Sequence, residues 1–363
     1  MKIVTVIGAR PQFIKAATVS RVVSGVNEID EVLLHTGQHF DENMSHIFFN
    51  ELDIPVPKYN LGIAGGGHGK QTGLMLEKIE EVLISEKPDM VLVYGDTNST
   101  LAGSLAAVKL HIPIAHVEAG LRSFNKKMPE EINRVMTDHS ADLLFAPTET
   151  AIRNLEKEGI SKTKIINVGD VMYDASLYYL QKAEGKTSIL TNLGLREKEY
   201  ILATIHRAEN TNDDQILSGI FNSLEEIANN HKMVFPIHPR TKMALDKMNY
   251  SFDKSSIKFI EPLGYLDMVM LERNAKLIIT DSGGVQKEAY FHKVPCITLR
   301  EETEWVELVE KGFNFLANAA NIKEVLRLAF QTEISADDGV YGNGFAANKI
   351  IEELLIFKNS KSI

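Results

Sequence analysis

The stretch KLIITDSGGVQKEA, Lys276–Ala289, places an apolar run before a serine and two glycines, and helix-forming residues after them. This order predicts a β-strand, a tight turn and an α-helix. Because glycines lack a Cβ atom and the first amides of a helix have no intrahelical partner, Ser282, Gly283 and Gly284 favour an anion such as phosphate. Glu288 lies one helical turn beyond Gly284, where its carboxylate would accept hydrogen bonds from a ribose diol. The alternative is an ordinary turn, with Ser282 as an N-cap and Glu288 as a surface charge.

The same order of strand, turn and helix recurs along the whole chain. Helical patterns separate the strand-like runs KIVTVIG, EVLLHTG, MVLVYGD, IPIAHVEAG, DLLFAPT, KIINVGD, YILATIHRAEN, MVFPIHPR, IKFIEPLG and VPCITLRE. Such alternation predicts parallel sheets covered by helices on both faces. We therefore expect an α/β protein of two doubly wound domains that face a central cleft, made of residues 1–170 with 345–363 and of residues 171–344. Further expectations are a helix near Asp41 and a mobile glycine-rich loop at residues 62–70.

Composition narrows the class of protein. A chain of 363 residues, 44% of them hydrophobic and 24% charged, is long enough for two domains with separate cores. The formal net charge of −10 argues against a nucleic-acid partner, which would need a basic face. Without a signal-peptide pattern or a long apolar run we expect a cytoplasmic protein with no membrane insertion. Cys296, the single cysteine of the sequence, lies in an apolar run and is expected to be buried.

Ligands of parallel α/β sheets bind beyond the carboxyl ends of the strands, so the residues that follow the apolar runs are candidates for a site. The first run ends in GARPQFIK, which puts Arg10 at the strand end and Lys15 one turn into the next helix. Both cations would neutralise a diphosphate or another anion. Their alternative is an exposed position on the first helix.

Carboxylates and histidines follow other runs. Asp96 in VYGDTNST and Glu118 in IAHVEAGLR end neighbouring strands, and two such carboxylates suit acid/base catalysis. Glu130 opens a helix in PEEINR, a position where acids are also common partners of the helix dipole. His206 in TIHRAEN and His238 in PIHPR add histidines at strand ends. These residues lack a compact spacing such as HExxH, so we expect no metal.

A set of segments, in order along the chain, resembles a known family: GARPQFIK, TGQH, GDTNST, HVEAGLR, PEEINR, IHRAEN, IHPR, DSGGVQKEA and LRE-TEW. Together they closely resemble the non-hydrolysing UDP-N-acetylglucosamine 2-epimerase family over nearly the whole chain. The resemblance implies a fold of the glycosyltransferase-B type, a homodimer and no cofactor. It also implies epimerisation at C2 of a UDP-linked 2-acetamido sugar, by elimination and re-addition of UDP through a glycal, to supply surface polysaccharide such as O-antigen.

The resemblance also assigns roles to individual positions. It implies that Asp96, Glu118 and Glu130 transfer protons and that His206 is a further catalytic residue. UDP binding is implied for Arg10, Lys15, His206, Ser282, Gly283, Gly284 and Glu288.

Departures from the usual family pattern bear on the substrate. GARPQ replaces GTRPE, and ETEWVE replaces TTERPE, so Trp305 stands where an arginine is usual. These changes resemble the branch that acts on UDP-2,3-diacetamido-2,3-dideoxy-glucuronate. Trp305 would then form an apolar wall for the sugar, or else pack in a helix core. The extra carboxylate of that sugar would need local cations, for which the candidates are Arg122, Lys126, Lys127, Arg207 and Arg240. Two other functions stay open: a glycosyltransferase with a UDP-sugar donor, and a UDP-sugar sensor.

Overall fold

The apolar runs form two parallel β-sheets, each in its own compact unit of the chain. The computed structural model describes residues 1–38, 53, 55–332 and 339–360, with the backbone alone for Arg10. The first unit is Met1–Leu177 with Gly339–Ile363, and the second is Tyr178–Asp338. The expected helix near Asp41 and the His39 of TGQH lie outside the described residues.

The first sheet joins its strands in the order β3-β2-β1-β4-β5-β6-β7. All of the pairings are parallel, and the register runs, for example, from Ile3 opposite Met90 to Val6 opposite Val93. Its strands are β1 (Lys2–Ile7), β2 (Asp30–His35), β3 (Tyr59–Asn60), β4 (Met90–Tyr94), β5 (Ile114–Val117), β6 (Leu143–Ala146) and β7 (Ile165–Asn167).

The second sheet is also parallel and has the order β10-β9-β8-β11-β12-β13. Its strands are β8 (Ile201–Thr204), β9 (Met233–Pro236), β10 (Lys258–Ile260), β11 (Leu277–Thr280), β12 (Cys296–Thr298) and β13 (Asn314–Leu316). In both sheets the chain reverses its direction of winding between two central strands, β1 and β4 or β8 and β11. Ligands of doubly wound sheets bind beside such a reversal.

Helices separate the strands, as the sequence predicts. In chain order they are α1 (Arg10–Val23), α2 (His68–Glu86), α3 (Asn98–Lys109), α4 (Pro129–Ser140), α5 (Glu149–Lys157), α6 (Val171–Glu184), α7 (Ile189–Leu193), α8 (Ala208–Thr211), α9 (Asp214–Ala228), α10 (Pro239–Lys247), α11 (Tyr265–Asn274), α12 (Gly283–Phe291), α13 (Val306–Glu310), α14 (Ile322–Ala329) and α15 (Ala346–Ser360). The expected loop at residues 62–70 is wrong for its last residues, because α2 begins at His68.

Small residues let α3 pack closely on the centre of the first sheet. Ala102 and Ala106 are fully buried against the strand valines. A Cβ atom at Gly103 would lie 3.3 Å from Val6 Cγ2 and 3.2 Å from Val93 Cγ1. The first turn of α3 is therefore held beside the ends of β1 and β4, where the candidate residues lie.

Two negative findings concern the described part of the chain. Its helices include none with both the length and the apolar character that a membrane span requires. Groups of three or more His, Cys, Asp or Glu side chains arranged to hold a metal ion are likewise not found there.

Cys296 is 1% exposed, and burial raises the pKa of its thiol to about 12.

Glu86, the last residue of α2, bonds side chains at the starts of strands β1 and β3. These strand starts lie at the opposite edge of the first sheet from the strand ends that Asp96 and Glu118 follow. Its carboxylate accepts hydrogen bonds from Lys2 Nζ at 2.9 Å and Tyr59 Oη at 2.5 Å, and it pairs with Lys58 Nζ at 2.6 Å. The bonds from Lys58, Tyr59 and Lys2 lower the pKa of Glu86 to about 2. Because this pKa is lower in the folded state, the Glu86 carboxylate stabilises the fold at pH values above its ordinary pKa of 4.5. The stabilisation is lost as the pH falls towards 2.

We predict that Glu86→Gln makes the free energy of unfolding less dependent on pH between about 4.5 and 2. Urea unfolding at a series of pH values measures this slope. Glu77→Gln on the same helix is the control, because Glu77 is 65% exposed and lies 4.0 Å from its Lys78 partner. Equal slopes for the wild type and Glu86→Gln would contradict the prediction.

Candidate functional site

The first unit places two predicted carboxylates at adjacent strand ends. In the sheet β5 lies beside β4, and Asp96 and Glu118 follow these two strands at the same edge. Gly95, with φ of +61°, marks the turn between β4 and Asp96. A Cβ atom at Gly95 would lie 3.2 Å from Glu118 Oε2, so the two turns are in close contact.

Asp96 is fixed by helix α4. Its Oδ2 accepts a hydrogen bond of 2.5 Å from Arg134 Nη2, and its backbone carbonyl accepts one of 2.9 Å from Asn133 Nδ2. The Asp96 side chain is 29% exposed, whereas that of Arg134 is 3% exposed. One face of the carboxylate is therefore held by a buried cation while part of it stays open to solvent.

Glu118 lies in a strained turn. Its φ of +73° is in the left-handed region, which costs a residue with a side chain about 1 kcal/mol or more. The amides of Glu118 and Ala119 both donate to the Phe145 carbonyl at 3.1 Å, which helps to hold this conformation. The buried Glu118 carboxylate forms an ion pair with Lys15 Nζ. Lys15, predicted to bind an anion, is thus paired with a predicted proton-transfer residue of its own unit.

The two first-turn acids of α4 have different surroundings. Glu131 is 3% exposed and accepts hydrogen bonds from the amides of Ser123 and Phe124, each at 2.9 Å. It also bonds Arg134 Nη1 at 2.9 Å, so Glu131 fixes the loop before the helix. Glu130 is half-buried in the same turn.

Gln12, which the sequence analysis missed, connects the ends of β1 and β4. Its Oε1 accepts from the amides of Gly8 at 2.8 Å and Ala9 at 3.0 Å, and its Nε2 donates to the Tyr94 carbonyl at 2.8 Å. The signal that would have found it is glutamine at the third position of a helix, as in a capping box. Arg10 begins this helix, and its side chain lies outside what the structure describes.

The second unit contains the serine and glycines that follow β11. Ser282 is the N-cap of α12, and its side chain accepts from Val285 N at 3.5 Å. Gly283 and Gly284 form the first turn of the helix, and Gly284 is exposed. A Cβ atom at Gly284 would lie 3.9 Å from both Ser282 Oγ and Glu288 Oε2. The predicted arrangement of strand, turn and helix is correct, and Glu288 lies on the Gly284 face of the helix.

Glu288 is more enclosed than a surface charge. It is 6% exposed, and its Oε1 accepts a hydrogen bond of 2.8 Å from Tyr265 Oη. Burial, followed by the charge of Glu288, raises the pKa of Tyr265 well above its ordinary value. The tyrosine therefore stays protonated and donates to the carboxylate.

Asp281, a second missed residue, holds the loop of His206 against the same turn. Its fully buried carboxylate accepts from the amides of His206 at 3.0 Å and Arg207 at 2.9 Å, and from Asn210 Nδ2 at 3.0 Å. His206 is 38% exposed, and its ring lies 5.4 Å from that of His238. Position alone would have identified Asp281, because it directly follows an apolar strand.

Trp305 packs inside the second unit. Its side chain is 3% exposed, its Nε1 donates to the Gly283 carbonyl at 2.9 Å, and Lys287 Nζ lies 4.0 Å from the ring centroid. Of the two predicted alternatives, this geometry supports packing. Through its hydrogen bond to the Gly283 carbonyl, the indole helps to hold the glycine turn.

The predicted cations differ in their access to solvent. Lys126, Lys127 and Arg240 are exposed, whereas Arg122 is 3% exposed. Arg122 bonds both carboxylate oxygens of Glu158 at 2.7 Å and lies 2.8 Å from Asp138 Oδ2. The structure does not support Arg122 as a cation for a sugar carboxylate, because the buried Asp138 and the partly exposed Glu158 already pair with it.

The two parallel sheets with flanking helices define an α/β protein of the glycosyltransferase-B-like class. A family model described as UDP-N-acetylglucosamine 2-epimerase matches residues 22–355. The chain belongs to the UDP-N-acetylglucosamine 2-epimerase family.

Relatives and a solved structure support this assignment. The chain is 55% identical over 360 residues to a UDP-N-acetylglucosamine 2-epimerase homolog of Methanococcus maripaludis, covering 98% of this chain and 99% of that protein. It is 52% identical over 359 residues to the UDP-2,3-diacetamido-2,3-dideoxy-D-glucuronate 2-epimerase of Pseudomonas aeruginosa, with the same coverage of 98% and 99%. The crystal structure of Methanocaldococcus jannaschii UDP-GlcNAc 2-epimerase with UDP-GlcNAc and UDP is similar with a TM-score of 0.92 and 47% identity, covering 98% of this chain and 100% of that one.

We predict that Gly284→Ala weakens UDP binding by about tenfold or more, because a methyl group would occupy the approach to the helix amides. Without a ligand the structure has room for this methyl group at Gly284. Alanine should therefore leave the free energy of unfolding unchanged or raise it by up to about 1 kcal/mol. Isothermal titration with UDP and thermal unfolding measure the two effects. Gly73→Ala on α2 is the control, since Gly73 also has open space around it. Unchanged UDP affinity would exclude this turn as the binding site.

Proposed function

We propose that this chain is a non-hydrolysing epimerase that inverts C2 of a UDP-linked 2-acetamido sugar. The observation that carries the proposal is the identity of 52% and 55%, over 98% of the chain, to proteins named as 2-epimerases or their homolog. Asp96, Glu118 and Glu130, which the family resemblance makes the proton-transfer residues, are all in the first unit. Glu118 is buried, whereas Asp96 and Glu130 are partly exposed. Such surroundings suit groups that exchange protons with a bound sugar.

The proposed reaction divides into an elimination and an addition. A carboxylate removes the C2 proton, the C2–H electron pair forms the C1–C2 double bond, and the C1–O bond breaks with its electrons leaving on UDP. An acid then delivers a proton to the opposite face of C2, and the UDP oxygen rebonds to C1. Because protons are handled on both faces, the reaction needs more than one acid or base. Asp96, Glu118 and Glu130 supply that number, and His206 is proposed to assist.

The UDP-binding residues that the family resemblance implies are also part of the proposal. The open first turn of α12, formed by Ser282, Gly283 and Gly284, offers amides and a partial positive charge to the diphosphate. Glu288, on the Gly284 face, is proposed to accept hydrogen bonds from the ribose. Arg10, Lys15 and His206 complete the proposed set.

The proposed substrate is UDP-2,3-diacetamido-2,3-dideoxy-glucuronate in preference to UDP-N-acetylglucosamine. Support comes from the departures GARPQ and ETEWVE and from the 52% identity to the Pseudomonas aeruginosa enzyme that is named for the diacetamido sugar. Lys126, Lys127, Arg207 and Arg240 remain candidates for its carboxylate. Arg122 does not, because acids surround it.

The setting of the enzyme is also part of the proposal. We propose a cytoplasmic homodimer that supplies precursors for surface polysaccharide such as O-antigen. The surface proposed for self-association includes Ile132 and Met136, one turn apart on α4, which are 50% and 46% exposed. Sedimentation equilibrium measures the oligomeric state, and a monomer at micromolar concentration would contradict this part.

We predict that the wild-type protein in D2O incorporates deuterium at C2 of the UDP sugar and inverts that carbon, with no acceptor present. Proton NMR follows both changes. The value of kcat/KM should be higher for the diacetamido uronate than for UDP-N-acetylglucosamine. Turnover of UDP-N-acetylglucosamine alone would contradict the substrate branch but leave the epimerase proposal intact. Binding without exchange would indicate a sensor, and sugar transfer only when an acceptor is added would indicate a glycosyltransferase.

We also predict that Asp96→Asn, Glu118→Gln and Glu130→Gln each lower kcat by about a hundredfold or more, because each removes a group that exchanges protons. UDP affinity and the unfolding temperature measure whether binding and folding survive. Glu77→Gln, an exposed carboxylate of the same unit, is the control and should keep wild-type turnover. A near-normal rate for one site variant would remove that residue from the proposed set.

A further inference from the structure

A buried network of charged side chains lies behind the strand ends of the first unit and has no part in the proposed chemistry. Its members are His116, Asp138 and Arg122, which are 0%, 1% and 3% exposed, and the partly exposed Glu158. His116 comes from β5 and Asp138 from α4, so the network joins a strand to a helix. Buried charges of this kind are costly unless each one is paired.

One arm of the network reaches the turn that carries Asp96. Asp138 Oδ1 lies 2.6 Å from His116 Nδ1, and His116 Nε2 lies 2.8 Å from the Gly95 carbonyl oxygen. A carbonyl oxygen only accepts hydrogen bonds, so Nε2 is the donor. Gly95, with its left-handed φ of +61°, directly precedes Asp96, so this bond fixes the turn immediately before that carboxylate.

The other arm reaches the turn that carries Glu118. Asp138 Oδ2 accepts a hydrogen bond of 3.1 Å from the amide of Gly120, while Asn154 Nδ2 donates to the Gly120 carbonyl at 3.0 Å. A Cβ atom at Gly120 would lie 2.4 Å from the Ala151 carbonyl oxygen, so this turn packs tightly on α5. The two bonds to Gly120 limit the ways in which the strained Glu118 backbone can relax.

Asp138 also links these turns to the third carboxylate. It lies on α4, the helix that begins beside Glu130 and carries Arg134, the partner of Asp96. Burial raises the pKa of Asp138, but His116 and Arg122 together outweigh that effect and hold the pKa below its ordinary value. Asp138 is therefore an anion, and its hydrogen bond with His116 and its ion pair with Arg122 hold it in one position.

We infer that Asp138 is a positioning residue that acts through His116 and Gly120 to fix the turns of Asp96 and Glu118 for proton transfer. The inference rests on the proposed epimerase function. Proton transfer depends steeply on geometry, and a displacement of about 1 Å reduces rates by about a hundredfold. A residue that holds two such groups affects turnover without touching the substrate.

Asp138→Asn tests this role, because asparagine has nearly the same shape but cannot act as an acceptor through both of its terminal atoms. We expect kcat to fall by about tenfold or more, with the Kd for UDP within about twofold of wild type. Glu86→Gln is the matched control: it also removes a buried, multiply bonded carboxylate of the first unit, but one at the opposite edge of the sheet. It should lower stability and leave kcat unchanged.

Hydrogen exchange supplies a readout that does not depend on activity. In Asp138→Asn, peptides covering residues 93–97 and 117–121 should exchange their amides faster than in wild type, whereas Glu86→Gln should leave them unchanged. If wild type shows no C2 exchange in D2O, the proposed function fails while this measurement still decides whether Asp138 holds the turns. Unchanged exchange in both peptides would overturn the inference.

His116→Gln keeps the test decisive if Asp138→Asn does not fold. Glutamine has no counterpart of the ring Nδ1 that meets Asp138, so this change disconnects Asp138 from the Gly95 turn and leaves the Gly120 arm intact. We therefore expect a fall in kcat without a change in UDP affinity. When both single variants fold, the double variant should lose less than the product of the single losses, since both interrupt one chain of bonds. Wild-type kcat in folded His116→Gln, or in folded Asp138→Asn, would overturn the inference.

Discussion

Where the strands of a parallel sheet end, backbone amides and carbonyls lose their hydrogen-bond partners on the neighbouring strand. This constraint acts on the candidate residues of both units. A buried amide or carbonyl without a hydrogen bond costs about as much as a lost bond, so each turn needs a side chain that satisfies it. Gln12 bonds the amides after β1, and Asp281 bonds the amides after β8. Asp138 bonds the amide of Gly120 after β5. The turns of the candidate site therefore depend on polar side chains that are themselves buried.

The two units use this constraint differently. In the first unit the strand ends carry charged pairs, Lys15 with Glu118 and Arg134 with Asp96, which restrict the carboxylates to defined positions. In the second unit Gly284, in the first turn of α12, is exposed, so an anion can approach the start of this helix. A fixed set of acids and an accessible set of amides match the two demands of the proposed reaction, which are proton transfer and the stabilisation of departing UDP.

The α/β class and the parallel sheets were predicted correctly, because short apolar runs alternating with helical patterns leave few other arrangements. The family was also recognised correctly from segments such as HVEAGLR and DSGGVQKEA, and the comparisons bear this out. The roles of Asp96, Glu118, Glu130 and the UDP-binding residues stay predictions. Arg122 is a candidate cation by its place in a loop after a strand, but the structure does not support that role, because Asp138 and Glu158 already pair with it.

Local sequence was sufficient to place Ser282 at a helix start and Asp96 and Glu118 at strand ends, because hydrophobic periodicity and turn residues act over short distances. The partners of these residues were established only by the folded chain. Lys15 meets Glu118 across 103 residues, and His206 meets the Asp281 carboxylate across 75. Such pairs follow from which strands become neighbours in a sheet, an outcome of packing over the whole unit. Asp138 shows this most clearly: within its own helix it has no distinguishing pattern, and its contacts come from β5, the Gly120 turn and the Arg122 loop.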